Sequence, residues 1–242
     1  MKSMMRAGAL AVVAALALAA CSPADEGPRP VTNDEADRIA DTFFENYDAG
    51  GASFVVRAVM PDGQSITLDG DVDLVGGAGR ALVQADGDLA GVDEVAWLGD
   101  SVLVNYPDLP DAAAAFGRDA QPWVGRPADP ATYELDSLIA VVTALAAPQR
   151  ENSLLIQQNG VQWLRTDDST GIEADVFQYG DATRVWLEAD GTVMVRFEGN
   201  NSDGTRPVVV ELADQGPRDI VLPAATEVTP IQDITDILIT IE

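Results

Sequence analysis

Residues 52–75, ASFVVRAVMPDGQSITLDGDVDLV, contain the clearest structural pattern of the chain. Between Gln64 and Val75 apolar and polar residues alternate, which is typical of a β-strand with one buried and one solvated face. The apolar members of this alternation are Ile66, Leu68, Val72 and Leu74. Because the turn residues Pro61–Asp62–Gly63 precede it, the strand over 52–60 is expected to pair with it as an antiparallel hairpin.

Short segments of the same kind recur along most of the chain. They are 80–85, 94–98, 101–106, 153–157, 161–166, 171–179, 183–189, 192–198 and 207–213. The dipeptides Asn159–Gly160 and Asp190–Gly191 are strong signals for tight hairpins between neighbouring strands. The sequence therefore predicts a long antiparallel sheet built from consecutive strands.

Two amphipathic helices interrupt the strands, over Asp34–Tyr47 and Ala131–Ala147. Asn33 or Asp34 can cap the first helix, and apolar residues recur at helical spacing in both. A proline-rich stretch with a short helix separates the two halves of the sheet. Runs of strands with a few inserted helices predict an α+β fold in which the helices collect on one face of the sheet. The tail over 231–242 fits a helix and a strand equally well.

Charge and composition exclude several classes of function. Without residues 1–20, which carry two bases and no acids, the chain has 12 bases against 40 acids. Such an acidic protein repels phosphate, so nucleic-acid binding is excluded. The chain contains no histidine, which removes Ser-His-Asp catalysis and the usual zinc sites. We expect no catalytic residue, no metal and no cofactor.

One acidic pattern resembles the start of a calcium-binding loop but lacks two residues that such a loop requires. Asp69, Asp71 and Asp73 have the spacing that opens a calcium-binding loop, but Leu74 replaces the required glycine and Arg80 the required glutamate. A solvated strand face explains these three residues better. Paired carboxylates for sugar hydrolysis stay open, because 40 acids produce pairs by chance.

The N-terminus has the features of a secretory signal over residues 1–20. Lys2 and Arg6 precede an apolar run over 7–20, which is shorter than the roughly 20 residues that cross a bilayer. The run ends in Leu-Ala-Ala-Cys and resembles a bacterial lipobox, which implies that Cys21 is acylated and becomes the first mature residue. Residues 21–33 are then expected to form a lipidated tether.

The order of these elements resembles the actinobacterial LppX/LprG-type lipoproteins, which are related in shape to the LolA/LolB lipoprotein carriers. Four stretches carry the resemblance. They are FVVRAVMPDGQSITLDGDVDL (54–74), QPWVGRPADPATYELDSLIAVVTAL (121–145), VWLEADGTVMVRFEGN (185–200) and PVVVELADQG (207–216). The resemblance covers about residues 34–225, and the chain departs from the family in its acidity and in the tail over 226–242.

The resemblance implies a half-barrel, in which a curved antiparallel β-sheet has its concave face covered by helices. An apolar cavity between the two layers would accept acyl chains. We expect its lining to comprise Phe43, Phe54, Val56, Met60, Ile66, Leu68, Val83, Trp123, Leu138, Ile139, Val142, Val195 and Phe197. Trp123 would line or plug the mouth of this cavity.

The sequence therefore predicts a non-enzymatic lipoprotein on the outer face of the cell membrane that binds or transfers lipids or lipoglycans. Its expected partners are acyl chains of lipids or glycolipids, the membrane through Cys21, and an envelope protein. One alternative is a sensor or scaffold lipoprotein that binds a protein partner with a closed core. Another is a hydrolase of cell-wall sugars, which requires two acids converging in a cleft.

Overall fold

The computed structural model of the chain describes residues 27–237, except 61, 190, 202 and 203. Over these residues thirteen strands, numbered along the chain from β1 (Arg29–Pro30) to β7 (Trp123–Pro127) and on to β13 (Val228–Pro230), form one open sheet. The sheet is curved and antiparallel throughout, apart from the parallel pair of β7 and β13. Helices cover its concave face, so the predicted α+β half-barrel is confirmed.

Two meanders make up the sheet. The first comprises β2 (Gly51–Val59), β3 (Ser65–Asp73), β4 (Ala78–Ala85), β5 (Glu94–Leu98), β6 (Ser101–Asn105) and β7 (Trp123–Pro127). The second comprises β8 (Gln162–Asp167), β9 (Ala174–Tyr179), β10 (Thr183–Glu188), β11 (Met194–Asn200) and β12 (Pro207–Ala213). β12 pairs with β2, with Val210 opposite Val56, and this pairing joins the meanders into one surface.

The predicted hairpin over 52–75 is confirmed. Val56 lies opposite Leu68, and Arg57 lies opposite Thr67. The apolar side chains of the predicted alternation therefore face the core, and the polar ones face the other side of the sheet. Val56 and Leu68 are fully buried, whereas Arg57 is exposed on the convex face.

Four α-helices accompany the sheet in the described part of the chain. They are α1 (Asn33–Ala49), α2 (Leu109–Ala115), α3 (Glu134–Thr143) and α4 (Ser153–Gln158). Thr32, and not Asn33 or Asp34, caps α1: Glu35 N donates to Thr32 Oγ1, and Thr32 N donates to the Glu35 carboxylate. This reciprocal arrangement is a capping box, which satisfies two backbone donors at once.

The strand predicted over 153–157 is wrong, because these residues form α4. Asn152 caps the helix by accepting a hydrogen bond from Leu154 N at 3.0 Å. Gly160 has a φ of +72°, which glycine adopts without strain, and it ends the helix rather than forming a two-residue hairpin turn. The Asn-Gly signal is therefore used as a helix stop.

Each edge of the open sheet is formed by a short strand near one end of the described chain. Within the predicted tether, β1 (Arg29–Pro30) pairs with β8, so folded structure begins before residue 33. At the other edge β13 (Val228–Pro230) lies beside β7. The tail then turns helical, and Ile234 and Ile237 are buried against α2.

Candidate functional site

The concave face of the sheet presents an apolar surface that crosses both meanders. In the central row Val210, Val56, Leu68 and Val83 are consecutive partners on β12, β2, β3 and β4. All four are buried, Val56, Leu68 and Val210 completely. Phe54 lies two residues before Val56, on the same face of β2, and packs against Trp97 with ring centroids 6.1 Å apart.

The helices supply the opposite side of this interior. Leu138, Ile139 and Val142 of α3 are buried in the same core as the sheet residues, and Phe43 of α1 packs at its edge. The structure brings eleven of the thirteen predicted lining residues into this one core. They are Phe43, Phe54, Val56, Met60, Ile66, Leu68, Val83, Leu138, Ile139, Val142 and Phe197.

Val195 lies on the convex face, opposite to its expected position. The register of β10 and β11 shifts between Trp186 and Leu187, so that Leu187 pairs with Met194 and Trp186 with Arg196. The bulge inserts one residue and reverses the alternation from that point. Val195 therefore packs with Trp186 and Val176 in a separate convex cluster, and Met194 takes the inward position.

Trp123 also lies away from the concave interior. It opens β7 and pairs with Asn105, and the Arg80 guanidinium lies 5.5 Å from its ring centroid. Arg126 lies three residues further along β7 and points toward α3. Because residues three apart on a strand point to opposite faces, Trp123 lies on the convex face. The proline-rich composition around it hid a strand whose five residues are Trp123–Pro127.

A buried ion pair joins β7 to α3 inside the helical layer. Arg126 donates two hydrogen bonds to Asp136, at 2.5 and 2.8 Å, and the exposed fractions of the two side chains are 7% and 0%. Asp129 N also donates to Asp136, and the Arg126 guanidinium stacks 3.7 Å from the Tyr133 ring centroid. Sequence reasoning missed this pair, although a charged residue on the apolar stripe of α3 was its visible signal.

A second set of polar contacts joins α1 to the other meander. Arg38 donates to the Asp175 carboxylate at 2.9 Å and to the backbone carbonyls of Gly191 and Glu188. Trp163 Nε1 donates to the same Asp175 at 3.0 Å. The helical layer is thus attached to the sheet on both sides of the central apolar face.

The helices are also joined to one another. Asn46 of α1 donates to Leu145 O at 2.7 Å, and the backbone amides of Ala147 and Glu151 donate to carbonyls of α1. A half-buried phenol, Tyr179, packs at the edge of the core. Burial and the nearby Glu151 carboxylate raise the pKa of Tyr179 above its ordinary value.

Three clefts lined by described residues lie outside the concave interior. The first, about 370 Å³, lies on the convex face against Val55, Glu211 and Ile172. The second, about 330 Å³, lies beside it, between Leu82 and the segment over 219–221. The third, about 230 Å³, lies between β1 and the end of α4.

Within the described ranges no three Cys, Asp or Glu residues are grouped so that they could hold a metal ion. No helix among the described residues is long and apolar enough to cross a bilayer. The predicted signal segment and Cys21 lie outside the described residues.

No protein-family model matches the sequence, and no curated protein sequence matches it. Solved structures with some likeness include LprF from Mycobacterium bovis, at 13% identity and a TM-score of 0.46, with 81% of this chain and 98% of LprF covered. An uncharacterized conserved protein from Thermus thermophilus aligns at 11% identity and a TM-score of 0.40, over 81% of this chain and 98% of that one. The LolA superfamily protein NE2245 from Nitrosomonas europaea aligns at 11% identity and a TM-score of 0.29, over 79% and 96%. At these values the likeness carries no argument about function, which has to come from the contacts of this chain.

Proposed function

We propose that this chain is a non-enzymatic lipid-binding or lipid-transfer lipoprotein of the cell envelope, anchored to the outer face of the membrane through acylated Cys21. The observation that carries the proposal is the apolar concave face, which extends over both meanders and is covered by helices. Acyl chains would enter between α3 and the row that contains Val56 and Leu68. That row and the facing side of α3 offer hydrocarbon on both sides of a ligand.

Binding requires the two layers to separate, because the proposed lining residues are closed against one another in this structure. Leu68, Leu138 and Val142 have no exposed surface. An acyl chain gains about 0.8 kcal/mol for each buried methylene, so ten methylenes contribute roughly 8 kcal/mol toward opening the layers. The polar attachments through Arg38 and Arg126 lie at the sides of the helical layer, and they can hold it in place while the central apolar contacts are exchanged for lipid.

Native mass spectrometry of the protein purified in a mild detergent tests the proposal. We expect co-purifying lipid, and uptake of an added fluorescent fatty acid after delipidation. Ile139→Trp, which adds bulk where the layers would have to separate, should reduce uptake at least about fivefold, whereas Val221→Trp on the exposed convex side should leave uptake unchanged. Circular dichroism checks that both variants fold. Absence of lipid together with absence of uptake contradicts the proposal.

A closed-core scaffold or sensor that binds an envelope protein is the second candidate. The near-zero exposure of the concave lining favours it, because a scaffold needs no cavity. It predicts that the protein takes up no lipid under any condition of the same experiment. It also predicts that crosslinking in intact cells captures one specific partner, and that this capture is unaffected by Ile139→Trp.

A further inference from the structure

Helix α4 exposes two adjacent leucines to solvent. Leu154 is 63% exposed and Leu155 51%, whereas the next residue, Ile156, is 3% exposed and packs into the core. The helix is therefore held by one side chain facing inward while two large apolar side chains face outward. The structure gives these leucines no packing role inside the fold.

The chain that leads from Cys21 joins the fold beside this helix. Arg29 and Pro30 pair with β8, and Val31 N donates to Val161 O just after the end of α4. The side chain of Gln157 on α4 donates to Asn33 Oδ1 at 2.7 Å. The entry point of the tether and the exposed leucines are therefore on the same part of the surface.

The tether is short compared with the domain. Seven residues, 22–28, separate Cys21 from Arg29, and even fully extended they reach about 27 Å. A folded chain of this length has a radius of gyration of about 17 Å and so measures roughly 44 Å across. With Cys21 held in the bilayer, the surface around Arg29 has to remain near the membrane.

The stretch of sequence that contains α4 differs in charge from the remaining chain. Residues 152–166, NSLLIQQNGVQWLRT, contain no acid, although the chain carries 40. Extending the window to 137–166 adds Glu151 alone. Arg150 precedes the acid-free stretch and Arg165 lies near its end. The stretch itself therefore brings no carboxylate to lipid headgroups, and so none of the desolvation and repulsion that a carboxylate would add. In the adjacent helix α1, Asp41 and Glu45 are paired with Arg150, and Glu35 is paired with Arg29.

We infer that α4 is a membrane-contacting element, in which Leu154 and Leu155 insert into the bilayer surface next to the acyl chains of Cys21. The contact fixes the orientation of the domain, with α4 and the helical layer's edge toward the lipid. The lipid anchor and the inserted leucines are each a weak membrane attachment, and in this arrangement their affinities for the membrane combine. The inference rests on the lipid anchor of the proposed function and does not depend on lipid binding inside the half-barrel.

The test uses the full lipidated protein in phosphatidylcholine vesicles that contain brominated acyl chains. Because Cys21 is the single cysteine of the chain, Leu155→Cys and Leu82→Cys each provide one free thiol for a bimane label once Cys21 is acylated. The two sites are matched, since Leu155 is 51% exposed and Leu82 52%, but Leu82 lies on the convex face of β4. We expect bromine quenching at position 155 to be at least about twofold stronger than at position 82.

A third variant adds Leu154→Asp to the Leu155→Cys protein and should reduce quenching to the level at position 82. Equal quenching at positions 155 and 82 overturns the inference, and so does an intact mass that shows no acylation of Cys21. Native mass spectrometry separates the two proposals. Retained interior lipid with lost quenching in the Leu154→Asp protein supports membrane contact as the function of α4, whereas retained quenching in this variant contradicts the inference. Absence of interior lipid in the protein without Leu154→Asp, with strong quenching at position 155, contradicts only the lipid-binding interior.

Discussion

At the scale of single residues, Arg126 and Asp136 form the most deeply buried of the ion pairs described above. Two charges removed from water are tolerated because each guanidinium–carboxylate hydrogen bond is satisfied and Asp129 N adds a third bond to Asp136. Removing one partner leaves the other charge buried without compensation. The pair therefore fixes where α3 lies on β7 more than it adds net stability.

Asp136→Ala is expected to lower the free energy of unfolding by about 3–5 kcal/mol, because Arg126 then stays buried without its carboxylate. Urea denaturation followed by circular dichroism measures the change. The double variant Arg126→Met with Asp136→Leu should recover most of the loss, since apolar side chains of similar size need no partner there. A single variant that loses less than about 1 kcal/mol would show that water reaches Arg126.

The carboxylate of Glu35 gives a pH-dependent prediction. Hydrogen bonds from the Arg29 side chain, supported by Thr32, lower the pKa of Glu35 from 4.5 to about 2. A carboxyl group whose pKa falls on folding stabilises the fold above its unfolded pKa, and that contribution disappears as the pH falls through the folded pKa. Glu35→Gln should therefore lower stability by about 1 kcal/mol at pH 7 and by progressively less between pH 4.5 and 2.

Thermal unfolding midpoints of Glu35→Gln and the unmodified chain, measured across this pH range, test the prediction. Asp37→Asn is the matched control, because Asp37 is exposed two residues further along the same helix. A constant difference between Glu35→Gln and the unmodified chain down to pH 2 would mean that the Arg29–Glu35 contact does not form in solution.

At the scale of elements, alternation and turn residues predict most strands, and apolar residues at helical spacing predict the positions of α1 and α3. They failed where one residue changes the meaning of a pattern. The bulge at Trp186–Leu187 reverses the faces of β11, and nothing in the sequence of β11 itself marks the inserted residue. Asn159–Gly160 ends a helix instead of forming a hairpin turn. The six residues before this pair, Ser153–Gln158, also suit a strand, but Asn152 caps them as a helix.

Among the thirteen residues predicted to line the cavity, the eleven in the main core and the two outside it differ in the regularity of the elements that carry them. Phe54 and Ile66 lie in long regular strands, where a period of two persists over several residues. Trp123 and Val195 lie at a strand end and at a bulge, where the period is interrupted. The buried pair of Arg126 and Asp136 could not be assigned from the sequence, because it depends on how α3 crosses β7.

The hairpin of β4 and β5 depends on one glycine. The ring of Trp97 lies directly over Gly79, its register partner, in the space that a Cβ atom would need. Gly79→Ala is therefore expected to displace Trp97 from Phe54 and to lower stability by about 1–3 kcal/mol. Gly91→Ala, where no atom lies within 4 Å of the added Cβ, is the control and should be nearly neutral. Equal effects of the two substitutions in urea denaturation would contradict the close packing of Trp97.

At the scale of the whole molecule, the fold combines a closed interior with an edge that we propose faces the membrane. The helices are attached to the sheet through Arg38 on one meander and Arg126 on the other, with apolar contacts between them. β1 pairs with β8 beside one end of this helical layer, so in the proposed anchored state that end lies nearest the membrane. Lipid that leaves the bilayer would then meet α4 before it meets the concave face.

The net charge of the molecule predicts how its stability responds to salt. In the full sequence 40 acids oppose 14 bases, so carboxylate repulsion outweighs the ion pairs that salt weakens. Because the screening length falls from about 30 Å at 0.01 M to about 3 Å at 1 M salt, the unfolding temperature should rise by several degrees over this range of sodium chloride. Neutralising three exposed carboxylates, with Asp37→Asn, Asp69→Asn and Asp181→Asn, should reduce that rise measurably in differential scanning calorimetry. An unfolding temperature that falls with salt would instead show that the arginine–carboxylate pairs dominate the electrostatics of the fold.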